Sequence, residues 1–337
     1  MLIPAFFQAA ARLSGRVDWS GACRQGVDPS VLEPRALADL GLSPRHVSAL
    51  RAGVQADSPD PFLTLRDAAW PSGLAEAPFA PAILFCRGDP TLLAQPGLAV
   101  VGTRRCTDTG LRLARTFSAA AVDLGAVVVS GLAWGVDMAA HEVALSRTIA
   151  VLGQGLDTPL SSHQARLADQ ILAAGGLLVS EFLPGTRPER WTFPQRNRVI
   201  AALARATVVI EAPRRSGALI TARLAVELGR EVLAVPGSPL AEASAGCLDL
   251  IAQGARMCRE IGDIREALGL AAEGATPRRR SDPLGLVEHL GDGLNLDELL
   301  SVIDASPVEI LRALAGLELT GVVMRLPGDR YAAVVPP

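Results

Sequence analysis

The sequence predicts an α/β fold built on a doubly wound, mainly parallel sheet, with a small helical module before it and a winged-helix module after it. Three observations carry this. Short apolar, β-branched runs recur as AILFC (82–86), LAVVG (98–102), AVVVS (126–130), TIAVLG (148–153), LLVSEF (177–182), TVVIEA (207–212) and EVLAVPG (231–237). Helical patterns such as GLRLARTFSAAAVDLG and GALITARLAVELG lie between most of them. The runs are continuously apolar instead of alternating, which means a sheet buried on both faces. Strand–helix alternation means right-handed crossovers, and ligands of such sheets bind beyond the carboxyl ends of the strands.

The elements follow in chain order. Residues 1–60 predict a small helical module, because ALADLGLSPRHVSALRAG places apolar residues at helical spacing and GLSP breaks it with Ser43 as N-cap. Its charges are mixed, which favours packing against a neighbour over nucleic-acid binding. Residues 61–79 belong to a proline-rich stretch, ADSPDPFLTLRDAAWP and beyond, expected to be a connection. Residues 80–265 form the sheet domain, and 266–283 (EALGLAAEGATPRRRSDP) a linker. Residues 284–337 give helix, LDELLSVI, SPVEILRALAGLELTG and VVMRLPGDRYAAV, the winged-helix order. Such modules often bind DNA through the third helix. This one carries three arginines against eight acidic residues, which disfavours a phosphate-binding face and favours protein contact.

Composition narrows the function. The chain of 337 residues is 49% hydrophobic with a net charge of −3, so it is not coated in basic charge, although a local basic pocket is allowed. No apolar run reaches spanning length, and MLIPAFFQAAARL lacks a basic region and cleavage site, so a cytoplasmic protein is expected. Its five cysteines are far apart and predict reduced thiols, and its four histidines show no metal spacing. No cofactor and no metal are expected. Every cation is arginine, whose planar fork suits phosphates and stacking.

The loops after the strands hold the candidate site. LAVVG leads through TRRCTDTG into a helix, with Gly102 at the turn, Thr103 beside it, and Arg104 and Arg105 adding charge to an amide-rich helix start. It matches neither GxGxxG nor GxxxxGK[ST]. VVVSGLAWGVDMAAH repeats the small-residue loop, with Asp137 in the helix's first turn and His141 four residues on. That pair is expected to be structural, since no nucleophile lies in the motif. EAPRRSGALITA offers another anion site, with Ser216, Gly217 and Thr221 opening a helix beside Arg214 and Arg215. ERWTFPQRNRVI sets two scarce aromatics, Trp191 and Phe193, among Arg190, Arg196 and Arg198. One such loop is weak evidence; several along one rim, with arginine, are much stronger.

Together VVGTRR, SGLAWGVDMAAH, VLGQGLD, SEFLPGT, FPQRNRVIA, EAPRRSGALITARLA and VPGSP…AGCLDLI resemble the DNA-processing protein A family (DprA, also called Smf) across residues 80–265. The resemblance implies an extended Rossmann-like domain that dimerises, binds single-stranded DNA and loads the RecA recombinase during natural transformation. Some members add an N-terminal sterile-alpha-motif-like module and a C-terminal winged helix, which residues 1–60 and 284–337 fit. It carries DNA contacts onto Gly102, Thr103, Arg104, Arg190, Phe193 and Asn197. Relatives often have lysine at the Arg190 position, so the charge is kept and its shape changes. Arg105, Arg196, Arg198, Ser216, Gly217 and Thr221 complete the expected contact set, and single-strand binding protein is a further candidate partner. Trp191 is expected to pack beneath the loop. The physical logic is that aromatic rings stack on open base faces while arginines hold phosphates. An enzymatic alternative is a Rossmann-like nucleotide phosphoribohydrolase using Glu211 or Glu181 as acid, although RRSG stands where such enzymes carry PGGxGT. A sequence-specific regulator working through the winged helix is disfavoured by that module's acidity.

Overall fold

In the computed structural model, the described residues are 2–3, 56–77, 80–270, 284–290, 293–303, 305–319, 322–326 and 328–333. Most of the expected helical module at 1–60 lies outside them. The chain divides into two units, Met1–Ala271 and Ala272–Pro337.

The first unit is built on one nine-stranded sheet. Its strands are β1 (Phe62–Thr64), β2 (Ile83–Gly88), β3 (Gly97–Val101), β4 (Val127–Ser130), β5 (Thr148–Val151), β6 (Leu177–Ser180), β7 (Ala206–Val209), β8 (Glu231–Ala234) and β9 (Arg256–Met257). Their spatial order is β9-β8-β7-β3-β4-β5-β6-β2-β1. The pairs from β9 to β6 are parallel, while β2 runs antiparallel to β6 and β1 antiparallel to β2. AILFC is therefore a strand, as expected, but with reversed direction. The stretch 61–79 is more than a connection: it supplies the edge strand β1 and a short helix α1 (Ser72–Glu76), whose Leu74 is fully buried.

Helices cover both faces. They are α2 (Asp108–Asp123), α3 (Val136–Glu142), α4 (Ser162–Ala173), α5 (Thr192–Leu203), α6 (Ala218–Glu227), α7 (Ala245–Ala252) and α8 (Ile261–Ala267). Successive strand residues point to opposite faces. Ala99 and Val101 of β3 join Val199 and Ile200 of α5 in one core layer. Leu98 and Val100 join Phe117 of α2 and Ala140 of α3 in the other. Farther along the second face, Ala150 and Leu178 meet Leu167 and Ile171 of α4. Burial on both faces is why the strand runs are continuously apolar. The expected linker at 266–283 starts too early, because α8 runs to Ala267 and Leu268 is fully buried, its carbonyl accepting from Arg205 Nη1 at 2.8 Å.

Among its described residues the second unit shows three helices, α9 (Leu286–Leu290), α10 (Leu296–Val302) and α11 (Pro307–Leu319), then an antiparallel hairpin of β10 (Val323–Leu326) and β11 (Arg330–Ala333). Leu286, Leu299, Ile310, Leu314 and Tyr331 form its core. Asn295 caps α10 through a capping box with Glu298.

Candidate nucleic-acid interface

The strand order reverses between β3 and β7: the chain winds outward from β3 through β6, then returns to place β7 on β3's other side. A sheet of this kind opens a crevice at that point. Three segments converge there: the loop after β3, the loop after β7 and the start of α5.

The β3 loop is drawn tight against its surroundings. A Cβ on Gly102 would lie 2.5 Å from Val136 Cγ2 and 3.0 Å from the Glu211 carbonyl oxygen, so only glycine fits. The Thr103 amide donates to that carbonyl at 2.7 Å, extending the β3–β7 contact past the strands. The Glu211 carboxylate accepts from the Thr107 amide (2.8 Å) and hydroxyl (2.6 Å). Thr107 in turn caps α2 by accepting from the Gly110 amide at 3.1 Å. Glu211 thus fastens a helix start to a neighbouring strand. Arg104 and Arg105 stand exposed above this anchored base.

The β7 loop divides its two arginines. Arg214 pairs with Asp249 at 2.8 Å, while Arg215 lines the crevice with Ser216, Gly217 and Thr221. Thr221 is 1% exposed. Asn197 reaches this loop from α5, its Nδ2 donating to the Gly217 carbonyl at 3.4 Å.

Helix α5 sorts its residues by the helical period. Thr192, Arg196, Val199 and Ile200 form the buried stripe, and Phe193 and Asn197 face the crevice beside it. The Arg104 guanidinium carbon sits over the Phe193 ring, 5.3 Å from its centre, within cation–π range. Arg190 is exposed at the lip. Trp191 does not pack beneath the loop as expected: it is 52% exposed, edge-on to Phe182 at 6.0 Å, with its Nε1 donating to Glu189 at 2.5 Å.

Two arginines are placed differently from the expected contact set. Arg196 is 4% exposed, and its Nη1 donates to the carbonyls of Gly131 (2.8 Å) and Val151. It lines the crevice floor, but its donors serve the ends of β4 and β5. A Cβ on Gly131 would sit 2.5 Å from that guanidinium, so a larger residue there would have to displace the Arg196 side chain. Arg198 is absent from the crevice lining altogether and pairs with Glu181, itself 1% exposed. The physical reason is helical spacing: Arg196 falls on the apolar stripe, and Arg198 is turned toward the segment after β6. Burial lowers both guanidinium pKa values, that of Arg196 to about 10, with Asp137 opposing the shift.

Beneath Arg196, Asp137 and His141 serve the SGLAWG loop. Asp137 Oδ2 accepts from the amides of Gly131 (3.0 Å) and Ala133 (3.4 Å). His141 bonds Thr148 Oγ1 through Nδ1 at 2.7 Å and accepts from the Leu132 amide through Nε2. Burial raises Asp137 from 3.8 to about 6, opposed by Arg196 and the amides. Burial, helped by Arg196, lowers His141 from 6.5 to about 3. These shifts oppose each other. Between pH 3.8 and about 6 the native state holds Asp137's extra proton, so that group costs stability as pH rises. From pH 6.5 down to about 3 the unfolded chain holds His141's extra proton, so that group costs stability as pH falls. Asp137→Asn removes only the first effect. Its melting temperature is expected to fall more steeply than the parent's between pH 6.5 and 4, and parallel curves in thermal melts would refute this.

The crevice encloses about 550 Å³. All the expected contact residues except Arg198 line it, from Gly102 to Arg105, Arg190, Phe193, Arg196, Asn197, Ser216, Gly217 and Thr221. Sequence reasoning missed Ala133, Pro213 and Ile220, which also line it. Ala133 was detectable as a member of the SGLAWG loop; the other two follow from the approach of α6.

A profile for DNA recombination-mediator protein A matches residues 61–269. The chain belongs to this family. Protein Smf of Escherichia coli is 36% identical over 90% of this chain and 86% of its own length. DNA processing protein DprA of Streptococcus pneumoniae is 42% identical over 60% of this chain and 73% of its own. Protein Smf of Synechocystis is 45% identical over 62% of this chain, a match that spans only 54% of the Synechocystis protein. Solved DprA structures agree. That from S. pneumoniae aligns with a TM-score of 0.67 at 34% identity, over 79% of this chain and 98% of its own. That from Helicobacter pylori, studied for its single-stranded DNA binding mode, aligns with a TM-score of 0.57 at 31% identity, over 63% of this chain and 98% of its own. The DprA match thus covers the nine-stranded domain and the crevice at its switch point. No described helix is long and apolar enough to cross a membrane.

Proposed function

We propose that this DprA-family chain binds single-stranded DNA in the switch-point crevice and acts as a recombination mediator that loads a RecA-type recombinase onto the bound strand. The observation that carries the reading is Arg104 lying over Phe193 at the mouth of a crevice ringed by Arg105, Arg190 and Arg215. A neutral ring backed by a cation presents a stacking face to a base, and the surrounding forks reach phosphates on either side. The relation to H. pylori DprA supports the same ligand.

The role in natural transformation, the recombinase and single-strand binding protein as partners, and a cytoplasmic location belong to this proposal as properties of the family. So does a homodimer through the α/β domain, which the exposed Val226 and Met257 near the β8–β9 edge support. A winged-helix fold for the second unit is supported by its helix–helix–helix–hairpin order. Catalysis is not part of the proposal. Both acids of the enzymatic alternative are engaged elsewhere, Glu211 in accepting from the Thr107 amide and hydroxyl and Glu181 in its pair with Arg198. Release of ribose 5-phosphate from nucleoside monophosphates would revive that alternative.

Labelled oligo-dT is expected to bind more tightly than duplex of equal length, with affinity falling as salt rises. Duplex binding that equals or exceeds it would refute the proposal. A chain ending at Ala271 is expected to keep most of this affinity, because residues 284–337 carry three arginines against eight acidic residues. The cut must follow Leu268, whose burial closes α8. Near-complete loss of binding by a folded truncation would place the second unit in the DNA site.

A further inference from the structure

The loop after β4 carries a second aromatic surface beside the crevice. Trp134 is 46% exposed and lies against His163 of α4, with ring centres 5.1 Å apart. A large exposed ring beside a polar cleft is informative where the backbone beneath it is fixed. Here it is fixed from every side. Asp137 holds the amides of Gly131 and Ala133, Arg196 holds the Gly131 carbonyl, and Gln164 Nε2 donates to the Leu132 carbonyl at 2.8 Å. Leu132 itself adopts φ 54°, a left-handed conformation that a branched residue takes only where surrounding structure imposes it. The loop is thus strained and braced so that Leu132 turns inward, fully buried, while Trp134 turns outward.

The surface is continuous with the crevice. Ala133, the residue before Trp134, lines it. Gly135, the residue after, approaches the β3 loop so closely that a Cβ there would lie 2.6 Å from the Thr103 carbonyl oxygen. Arg166 follows His163 by three positions on α4, which puts the two on one helix face. It is exposed, and no hydrogen bond or ion pair engages it among the described residues. An outward ring, a second ring behind it and an unengaged cation one turn away repeat the chemistry of Phe193 with Arg104.

We infer that Trp134 and His163, with Arg166, form a second base-stacking platform for the single strand as it leaves the crevice over Ala133. This rests on the crevice being the single-strand site. The strand crosses the lip, stacks a base on Trp134 and places a neighbouring phosphate near Arg166. Site size is then set by two separated aromatic stations instead of one.

The test is a length series of oligo-dT on the full chain, starting from the shortest oligomer that binds. Trp134→Ala is expected to weaken binding of long oligomers by about 5- to 150-fold, the size of one base–aromatic stack, and to leave the shortest unchanged. Trp134→Phe, which keeps a ring, restores most of the loss. His163→Ala and Arg166→Ala each weaken only the long oligomers, Arg166→Ala with a flatter salt dependence. If Trp134→Ala binds every length like the parent while Arg190→Ala is weakened at every length, the platform is overturned and the crevice stands. Equal loss at all lengths in Trp134→Ala also overturns the platform, since the residue then belongs to the crevice or its fold. If the parent binds no oligo-dT, both readings fall together.

Discussion

Arg196→Ala is expected to destabilise the α/β domain by about 3–5 kcal/mol, the cost of breaking a buried charged network by removing one member. Three debts appear together. The carbonyls of Gly131 and Val151 lose their shared donor, each leaving a buried acceptor unsatisfied at roughly 1–3 kcal/mol. Asp137, already raised to about 6 by burial, loses the cation that opposes the shift. The space meant for a guanidinium is left open between α5 and the ends of β4 and β5. For a domain of this size the melting temperature should drop by about 6–20 °C. Gly131→Ala attacks the same contact from the other side, since its Cβ would press on the guanidinium at 2.5 Å. A thermal melt of Arg196→Ala within a degree or two of the parent would mean the network is dispensable. If instead the variant melts normally but loses single-strand affinity, Arg196 is a DNA contact and its assignment to the core is wrong.

Arg196 also shows where sequence reasoning reaches and where it stops. The strands were legible because burial on both faces leaves continuous apolar runs, and the crevice because loops after parallel strands share one rim. Within ERWTFPQRNRVI, all three arginines satisfy the same local rule of a cation near an aromatic. What separates them is the α5 period. Thr192, Arg196, Val199 and Ile200 share the buried stripe, so Arg196 could have been assigned inward from its spacing alone. Arg198 could not, because its partner Glu181 lies 17 positions away and meets it only through the β6–α5 connection. The reversed direction of β2 and the edge strand β1 were equally hidden. Pairing direction depends on which distant strand lies alongside, and nothing in AILFC or PFLTL records that. Trp191 was misjudged for another reason: its indole finds Glu189 two residues earlier, so it is held at the surface by a local bond instead of sinking into the core.

Phe193→Ala and Arg104→Ala are expected to weaken oligo-dT binding by different physics and to be coupled. Arg104 is exposed, and in the proposed site it meets a phosphate, so its loss should flatten the dependence of log affinity on log salt by about 0.7, the single-strand value per phosphate contact. Phe193 is neutral and releases no counterions. Its loss should cost about 1–3 kcal/mol of stacking with the salt slope nearly unchanged. The guanidinium lies 5.3 Å from the ring centre, so under the proposed reading the cation backs the ring while a base stacks on its other face. The double variant should therefore lose less than the sum of the singles, by about 0.5–1 kcal/mol, the size of an exposed cation–π contact. Phe193 also lies near Gly153, where a Cβ would stand 3.0 Å from its ring, so part of its surface packs against the loop after β5. Thermal melts beside the binding isotherms separate that role from stacking. A Phe193→Ala protein that melts far below the parent would mark the ring as a support for α5. A salt slope that drops as in Arg104→Ala would show that its loss displaces the arginine. Strict additivity in the cycle would mean that Arg104 and Phe193 meet the strand independently, and that the contact between them in the free protein is broken when DNA binds.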